Sequence, residues 1–228
     1  MPTRTESGDD MSQELGKIDK PLTEQFKGAR KLFFVPLLYS GKEPPTEYLD
    51  RLKKYWEQVE EQLTELELKL GQIGRIYHEL IAAAGEEGIE AIKDLNDNSY
   101  QIVRSRIENG AQLEATENIE TLTEFMDWTR CLAIGLQNQN VFTKVYEFYT
   151  AASKKRSEFI TRHIDETLQP NQIGIIFMRE GHHVQFVSDI EVFYVSPPAL
   201  NEINRWLRDQ EAQLHQKVEG ESEKKEGD

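Results

Sequence analysis

Residues 46–84 read TEYLDRLKKYWEQVEEQLTELELKLGQIGRIYHELIAAA, and the spacing of the apolar residues in this stretch dominates the fold prediction. These residues recur in alternating steps of three and four, which is the heptad pattern of a helix with one apolar seam. At about 1.5 Å per residue, a continuous helix here would be about 58 Å long, so its seam needs a partner. The seam positions are Leu49, Leu52, Trp56, Val59, Leu63, Leu66, Leu70, Ile73, Tyr77, Leu80 and Ala84.

The two halves of this predicted helix differ in the residues that flank the seam. Residues 49–66 have mostly polar flanks, which is typical of a narrow seam covered by one or two helices. Residues 70–84 have apolar flanks, which indicates a face buried in a domain core. Gly71 and Gly74 each lower helix stability by about 1 kcal/mol relative to alanine, and they mark a kink, a close helix crossing or a break.

A second long amphipathic stripe, residues 142–164, is rich in aromatic residues and ends before Pro170. It can run antiparallel to the 46–84 helix within one chain, or the 46–84 seam can form a coiled coil between two copies. We favour the pairing within the chain, because the aromatic stripe must also be buried. Two further helical regions are predicted, at residues 89–107 and 113–136.

Short apolar runs near both ends of the chain have the length and composition of β-strands. The turn at Glu180-Gly181 predicts a β-hairpin from the second and third of these runs. Pro36 lies inside the first run and lacks a backbone donor, so we expect an edge strand or a bulge there. A final helix begins near Pro197 and Pro198 and covers the sheet. The predicted strands are residues 31–38, 173–178, 184–187 and 190–195.

The sequence therefore predicts an α+β fold that is predominantly α-helical. A long antiparallel helical hairpin or bundle rests on a small mixed β-sheet with a C-terminal covering helix. The predicted parts are a disordered or loosely docked arm at residues 1–29, one domain at residues 30–218, and a disordered acidic tail at residues 219–228. Within the domain, residues 46–168 form the helical excursion, and residues 30–38 and 172–218 form the sheet and its helix.

Composition narrows the function classes. The formal charge of −14 disfavours general affinity for nucleic acid, because an acidic surface repels phosphate backbones at long range. No apolar run reaches the roughly 18 residues of a membrane span, and no secretory signal is evident, so no membrane role is expected. Cys131 is the single cysteine, which fits a reducing cytoplasm. It is predicted to be a buried thiol rather than a nucleophile.

The densest group of reactive side chains is the REGHH segment at the predicted hairpin tip, where Arg179, Glu180 and His182 are catalytic candidates. Such a tip can perform acid-base chemistry or bind a phosphate, although an exposed polar turn is the simpler interpretation. Adjacent strand residues point to opposite faces, so His182 and His183 are not expected to share a metal ion. We predict no metal site and no cofactor.

Two other histidines have structural interpretations. His78 and Glu79 fall outside the seam of the 46–84 helix, so a solvated helix face is expected for both. His163 lies on the apolar stripe of residues 142–164, where a partly buried, hydrogen-bonded histidine is expected. The chain contains no P-loop, GxGxxG, GxSxG, paired CxxC or HExxH motif, which lowers the odds of the common nucleotide, redox and hydrolase chemistries.

These observations predict a cytoplasmic protein-interaction or regulatory protein that presents a long amphipathic helical hairpin. Its partner, another protein or a second copy, would bind the seam. The alternative is a hydrolase or nucleic-acid-processing enzyme with a site near residues 179–183. A third hypothesis is a subunit whose acidic surface meets a basic partner. The predicted interaction seam consists of Leu49, Leu52, Trp56, Val59, Leu63 and Leu66.

Overall fold

The computed structural model of this protein describes residues 29–41 and 43–226, with side chains described as far as residue 213. The predicted arm, residues 1–29, lies outside this part of the chain except for Ala29. The described strands are β1 (Arg30–Pro36), β2 (Arg75–His78), β3 (Gln112–Leu113), β4 (Ile173–Met178) and β5 (Ile190–Tyr194). The described helices are α1 (Thr46–Leu70), α2 (Gly85–Leu95), α3 (Asp97–Glu108), α4 (Ile119–Ala133), α5 (Gln139–Thr167) and α6 (Pro198–Glu226).

The described strands form one sheet in the order β3-β2-β4-β1-β5, and every pairing is parallel. The predictions of a mixed sheet and of a β-hairpin at Glu180-Gly181 were therefore wrong. β1 lies between β4 and β5, so residues 179–189 must cross over β1. Residues 184–187 do not form a strand. Their apolar members cover the sheet, with Val184 buried and Phe186 and Val187 packed beside it.

Pro36 does not place β1 at an edge of the sheet, as the sequence suggested. β1 pairs with β4 along its whole length and with β5 only as far as Phe34. Pro36 is the last residue of β1 and lies beyond the end of β5, where a missing backbone donor on that side is tolerated.

The predicted 46–84 helix ends at Leu70. Gly71 has a φ of 118°, in the left-handed region that favours glycine, and its N–H donates to the carbonyl of Glu67 over 3.0 Å. The chain then forms β2, whose Ile76 and Tyr77 point to opposite faces of the sheet and join different core clusters. This strand is short and buried on both faces, and its Tyr77, four residues after Ile73 and three before Leu80, matched the spacing of a helix.

Helices cover both faces of the sheet. One face is packed by α1, α2, α3 and α6, and the other by the second half of α5 and residues 184–187. The predicted antiparallel pairing of α1 with the 142–164 stripe therefore does not occur, because these helices lie on opposite faces. α1 packs on the sheet and on α6, whereas α5 packs on α4. The predominantly helical composition, the small sheet and the C-terminal covering helix were predicted correctly.

The backbone of α6 runs to Glu226 and so includes most of residues 219–228, which were predicted to form a tail. Among the described residues, no helix is both long and apolar enough to cross a membrane.

Candidate functional site

The carboxyl ends of β2 and β4 form the switch point of the sheet, where successive connections of the chain turn in opposite directions. These two strands are neighbours, yet the chain leaves β2 towards β3 at one edge and leaves β4 towards β5 at the other edge. In open parallel sheets, such a switch point opens a crevice that commonly binds ligands. Glu79 directly follows β2 and Arg179 directly follows β4, so both side chains stand at this crevice.

Four charged side chains, Glu79, Glu117, Arg156 and Arg179, converge at the crevice, and we call them the ion cluster. The Arg179 backbone N–H and Nη2 each donate to Glu79 over 2.9 Å. Arg156 Nη2 donates to Glu79 Oε1 over 3.2 Å, and Arg156 Nε donates to Glu117 Oε2 over 2.9 Å. Glu117 also accepts the backbone N–H of Leu80.

Three members of the ion cluster are buried. The exposed fraction of the side chain is 0% for Glu117, 3% for Glu79 and 10% for Arg156, against 49% for Arg179. Burial alone would raise the pKa of Glu79, but hydrogen bonds from Arg179 and the charges of both arginines lower it below its ordinary value. Glu79 is therefore ionised at neutral pH. Burying charges costs free energy that only good pairing offsets, so such a cluster is a candidate for a specific role.

His78 is fully buried beside the cluster, which contradicts the solvated helix face predicted for His78 and Glu79. Both residues lie at the end of β2 instead of on a helix. His78 Nδ1 lies 2.8 Å from the carbonyl oxygen of Glu79, and Nε2 lies 3.0 Å from Ser99 Oγ on α3. Burial lowers the pKa of His78 to about 4, so the ring is neutral at pH 7 and serves a structural role.

The candidates Arg179, Glu180 and His182 line one cavity of about 200 Å³, although their side chains have different partners. Arg179 pairs with Glu79, whereas Glu180 accepts a 3.4 Å hydrogen bond from Asn204 on α6. The His182 ring packs on Phe34 with ring centroids 4.9 Å apart, and burial lowers its pKa. The three side chains do not form a hydrogen-bonded catalytic group.

A groove of about 800 Å³ adjoins the cavity, between α5 and residues 183–187. The two spaces share Tyr149, Ser153, Ser157 and His183 as lining residues. Hydroxyl groups and two tyrosines, Tyr146 and Tyr149, line much of the groove. The cavity and the groove are therefore neighbours along α5.

Most of the predicted interaction seam is buried in the core of this chain. Leu52, Trp56, Val59 and Leu63 are at most 5% exposed, and Leu66 packs partly buried against the same core. Leu49 is 44% exposed, so an interaction through that end of the seam stays a prediction. The sheet covers the rest of the seam.

His163 and Cys131 lie outside the crevice. The ring of His163 stacks on Phe159, but its buried Nε2 has no hydrogen-bond partner in the described chain, since Glu114 Oε2 is 4.0 Å away; the hydrogen bond expected for this atom is not formed. Cys131 is a half-buried free thiol on α4. The part of the chain that the structure describes contains no group of three or more His, Cys, Asp or Glu side chains placed to hold a metal ion.

Sequence reasoning missed Glu117 and Arg156 and misplaced Glu79. Arg156 did carry a signal, because Ala152, Arg156, Ile160 and Ile164 recur every four residues and are the buried positions of α5. An arginine on that stripe indicates a buried partner, although it does not identify which carboxylate. Comparison with known proteins adds no further assignment, since no family model, curated protein or solved structure matches the chain significantly.

Proposed function

We propose that this protein is a cytoplasmic protein-interaction or regulatory protein whose contact surface is the distal arm. The distal arm is defined as residues 126–151, which comprise the end of α4, the connecting turn and the start of α5. The exposure of large apolar side chains there is the observation that supports the proposal. They are Ile134 (75% exposed), Val141 (47%), Phe142 (39%), Tyr146 (52%) and Phe148 (54%).

The distal arm makes little contact with the rest of the chain. The buried residues of α5 begin at Ala152, so residues 139–151 have no buried side chain. At about 1.5 Å per residue, this part of α5 is about 20 Å long. α4 ends in the same region with no buried residue after Phe125. The two helices support one another, while their outer surface is left to solvent or to a partner.

Aromatic rings on the distal arm are arranged in stacks. Trp128 and Phe148 stack across the two helices with centroids 4.8 Å apart and planes 13° from parallel. Phe142 and Tyr146 stack along α5 at 6.0 Å. Packed aromatic side chains lose little conformational entropy on binding, which is one reason they dominate the binding energy of protein interfaces.

The lack of charge on the distal arm favours a partner whose contact surface is also apolar. Residues 131–143 contain no charged side chain, and over the whole distal arm Asp127 and Glu147 balance Arg130 and Lys144. The chain carries −14 in total, so this charge lies outside the distal arm. A second copy of this chain presents the same uncharged apolar surface, and self-association is therefore one form of the proposal.

The test is capture of partners by the full chain and by a Val141→Ser/Phe142→Ser variant. The control is Leu68→Ser, because Leu68 is 82% exposed on α1, away from the distal arm. We expect the double variant to lose bound protein, or to lose a dimer measured by light scattering, while the control keeps it. Equal capture and equal mass for all three proteins would refute the proposal.

Exposed aromatic rings like those of the distal arm can also stack on the bases of a single-stranded nucleic acid. Nuclease treatment before capture separates this outcome from a protein partner.

The second candidate function is a hydrolase or nucleic-acid-processing enzyme at residues 179–183, which is favoured by the crevice at the switch point. Turnover of an ester or RNA substrate that disappears in His182→Ala and persists in Leu68→Ser would support it.

A further inference from the structure

Each of the two arginines of the ion cluster has one N–H group, Nη1, that does not bond a carboxylate of the cluster. On Arg179, Nε and Nη2 are used by Glu79, and on Arg156, Nε and Nη2 are used by Glu117 and Glu79. Within the described chain, Nη1 of neither arginine makes a hydrogen bond. Arg156 Nη1 is not among the buried polar atoms that lack a partner, so it reaches solvent, and the Arg179 side chain is 49% exposed as a whole. Both residues line the 200 Å³ cavity.

The carboxylates fix the direction of these free donors. Arg156 Nη2 and Arg179 Nη2 bond the same oxygen, Glu79 Oε1, at 3.2 and 2.9 Å, so the two guanidinium groups are held close together. Pairing on one edge leaves the opposite edge of each planar group unpaired. An oriented guanidinium is well suited to bind a phosphate or carboxylate, because its N–H groups match two oxygens at once.

A second unpartnered group lies in the same cavity. His182 Nδ1 is buried and makes no hydrogen bond of good geometry among the residues that the structure describes, although the Val184 backbone is a polar neighbour of the ring. A buried polar atom without a partner is unusual in a native protein and commonly indicates an absent ligand or water. Ser153 and Ser157 add hydroxyl groups to the lining.

We propose that the crevice binds the phosphate or carboxylate group of a nucleotide-sized small molecule, whose planar body lies in the groove against Tyr146 and Tyr149. Arg156 and Arg179 would donate to the oxyanion from Nη1, and His182 would contact it from the crevice wall. The groove volume of about 800 Å³ is in the range of small-molecule sites, which bury most of the ligand.

Acidic side chains near the site cancel most of the positive charge that would attract an anion. Glu79 and Glu117 neutralise the two arginines, and Glu180 lines the same cavity. Along the groove, Lys154 and Arg162 are balanced by Glu158 and Asp165. An isolated anion therefore gains little from long-range attraction. The affinity must come from directional hydrogen bonds together with burial of the ligand body, so inorganic phosphate alone is expected to bind weakly.

Calorimetric titration of the full chain tests this proposal. AMP and indole-3-acetate are the probes, because each joins a planar body to an oxyanion, one a phosphate and the other a carboxylate. Adenosine, indole and inorganic phosphate each lack one of the two parts. We expect saturable binding of AMP or indole-3-acetate, and at least tenfold weaker binding of the matching incomplete probes. Binding of AMP would identify the bound group as a phosphate, and binding of indole-3-acetate would identify it as a carboxylate.

Two variants and one control locate the site. Ser153→Leu fills the cavity without touching an ion pair, and Arg179→Gln removes one donor; each should weaken binding at least tenfold. Arg104→Gln is the control, since Arg104 is another exposed arginine paired with a glutamate, Glu108, on the far side of the sheet. Absence of saturable binding to both probes, or equal binding by wild type and Ser153→Leu, would overturn the proposal.

This inference goes beyond the interaction function and can fail separately from it. Ser153→Leu is expected to keep partner capture by the distal arm, and Val141→Ser/Phe142→Ser is expected to keep binding of the small molecule. The two experiments therefore distinguish a failed ligand site from a failed interaction surface.

Discussion

Replacing Arg156 with methionine tests whether the ion cluster stabilises the fold. The side chain is 10% exposed and bonds Glu117 and Glu79, whose side chains are 0% and 3% exposed. Removing one partner of a buried ion pair costs about 3–5 kcal/mol, because the other charge stays buried without compensation. Here Glu79 keeps Arg179 and Glu117 keeps the N–H of Leu80, so we expect a loss near the lower limit, about 3 kcal/mol.

The neighbouring residue provides a matched control. Lys155 is 62% exposed and forms a 3.3 Å ion pair with Glu124, which is 46% exposed. Such surface pairs contribute about 0–1 kcal/mol, so Lys155→Met should change the free energy of unfolding by less than about 1 kcal/mol. Both substitutions on α5 remove one positive charge, but only Arg156→Met removes a buried partner. The difference between their free energies of unfolding therefore reports the effect of burial.

Urea denaturation followed by far-ultraviolet circular dichroism measures both free energies. A further variant, Arg156→Met/Glu117→Gln, should be more stable than Arg156→Met alone, because the amide removes the uncompensated buried charge. If Arg156→Met and Lys155→Met differed by less than about 1 kcal/mol, the cluster would not be buried in solution as described, and the reasoning would be refuted.

Two further predictions concern residues near the sheet. The pKa of His78 is about 4 in the folded chain and 6.5 in the unfolded chain, so the unfolded state binds more protons between these values. Stability should therefore fall as the pH drops from about 6.5 to about 4, by about 3 kcal/mol, and His78→Gln should remove this part of a pH profile of urea midpoints. At Gly88, an added Cβ would lie 2.2 Å from the Ala83 carbonyl oxygen. Gly88→Ala should therefore destabilise the chain by about 1–3 kcal/mol despite a better helix propensity, whereas Gly41→Ala, with no atom within 4 Å, should leave the melting temperature unchanged.

The distribution of apolar residues was enough to locate most elements. Four of the predicted helical regions correspond to α1, α4, α5 and α6, and three of the predicted strands correspond to β1, β4 and β5. These elements could be located because caps, turns and apolar periodicity are set by residues close together in the sequence. The end of α1 was the main error of this kind. Gly71 and Gly74 were recognised as a point of weakness, but a strand of four residues is too short for its period to be distinguished from a helix.

The candidate site was only partly visible in the sequence. Arg179, Glu180 and His182 were identified from their local density, and they do line the cavity at the crevice. Their partners were not identified, because Glu79 belonged to a strand that the periodicity had assigned to a helix. The exposed aromatic rings of the distal arm were also misread, since an amphipathic stripe does not reveal whether its apolar side is covered.

The sequence by itself determined the acidic charge, the helical majority and the positions at which the chain buries apolar residues. The tertiary structure alone decided the parallel order of the strands, the opposite faces of α1 and α5, and the convergence of the ion cluster. The physical reason is the distance along the chain. Glu117 and Arg156 are 39 residues apart, and Glu79 and Arg179 are 100 residues apart, so neither pair is specified by a local period. Their contact follows from the strand order, which places the ends of β2 and β4 side by side.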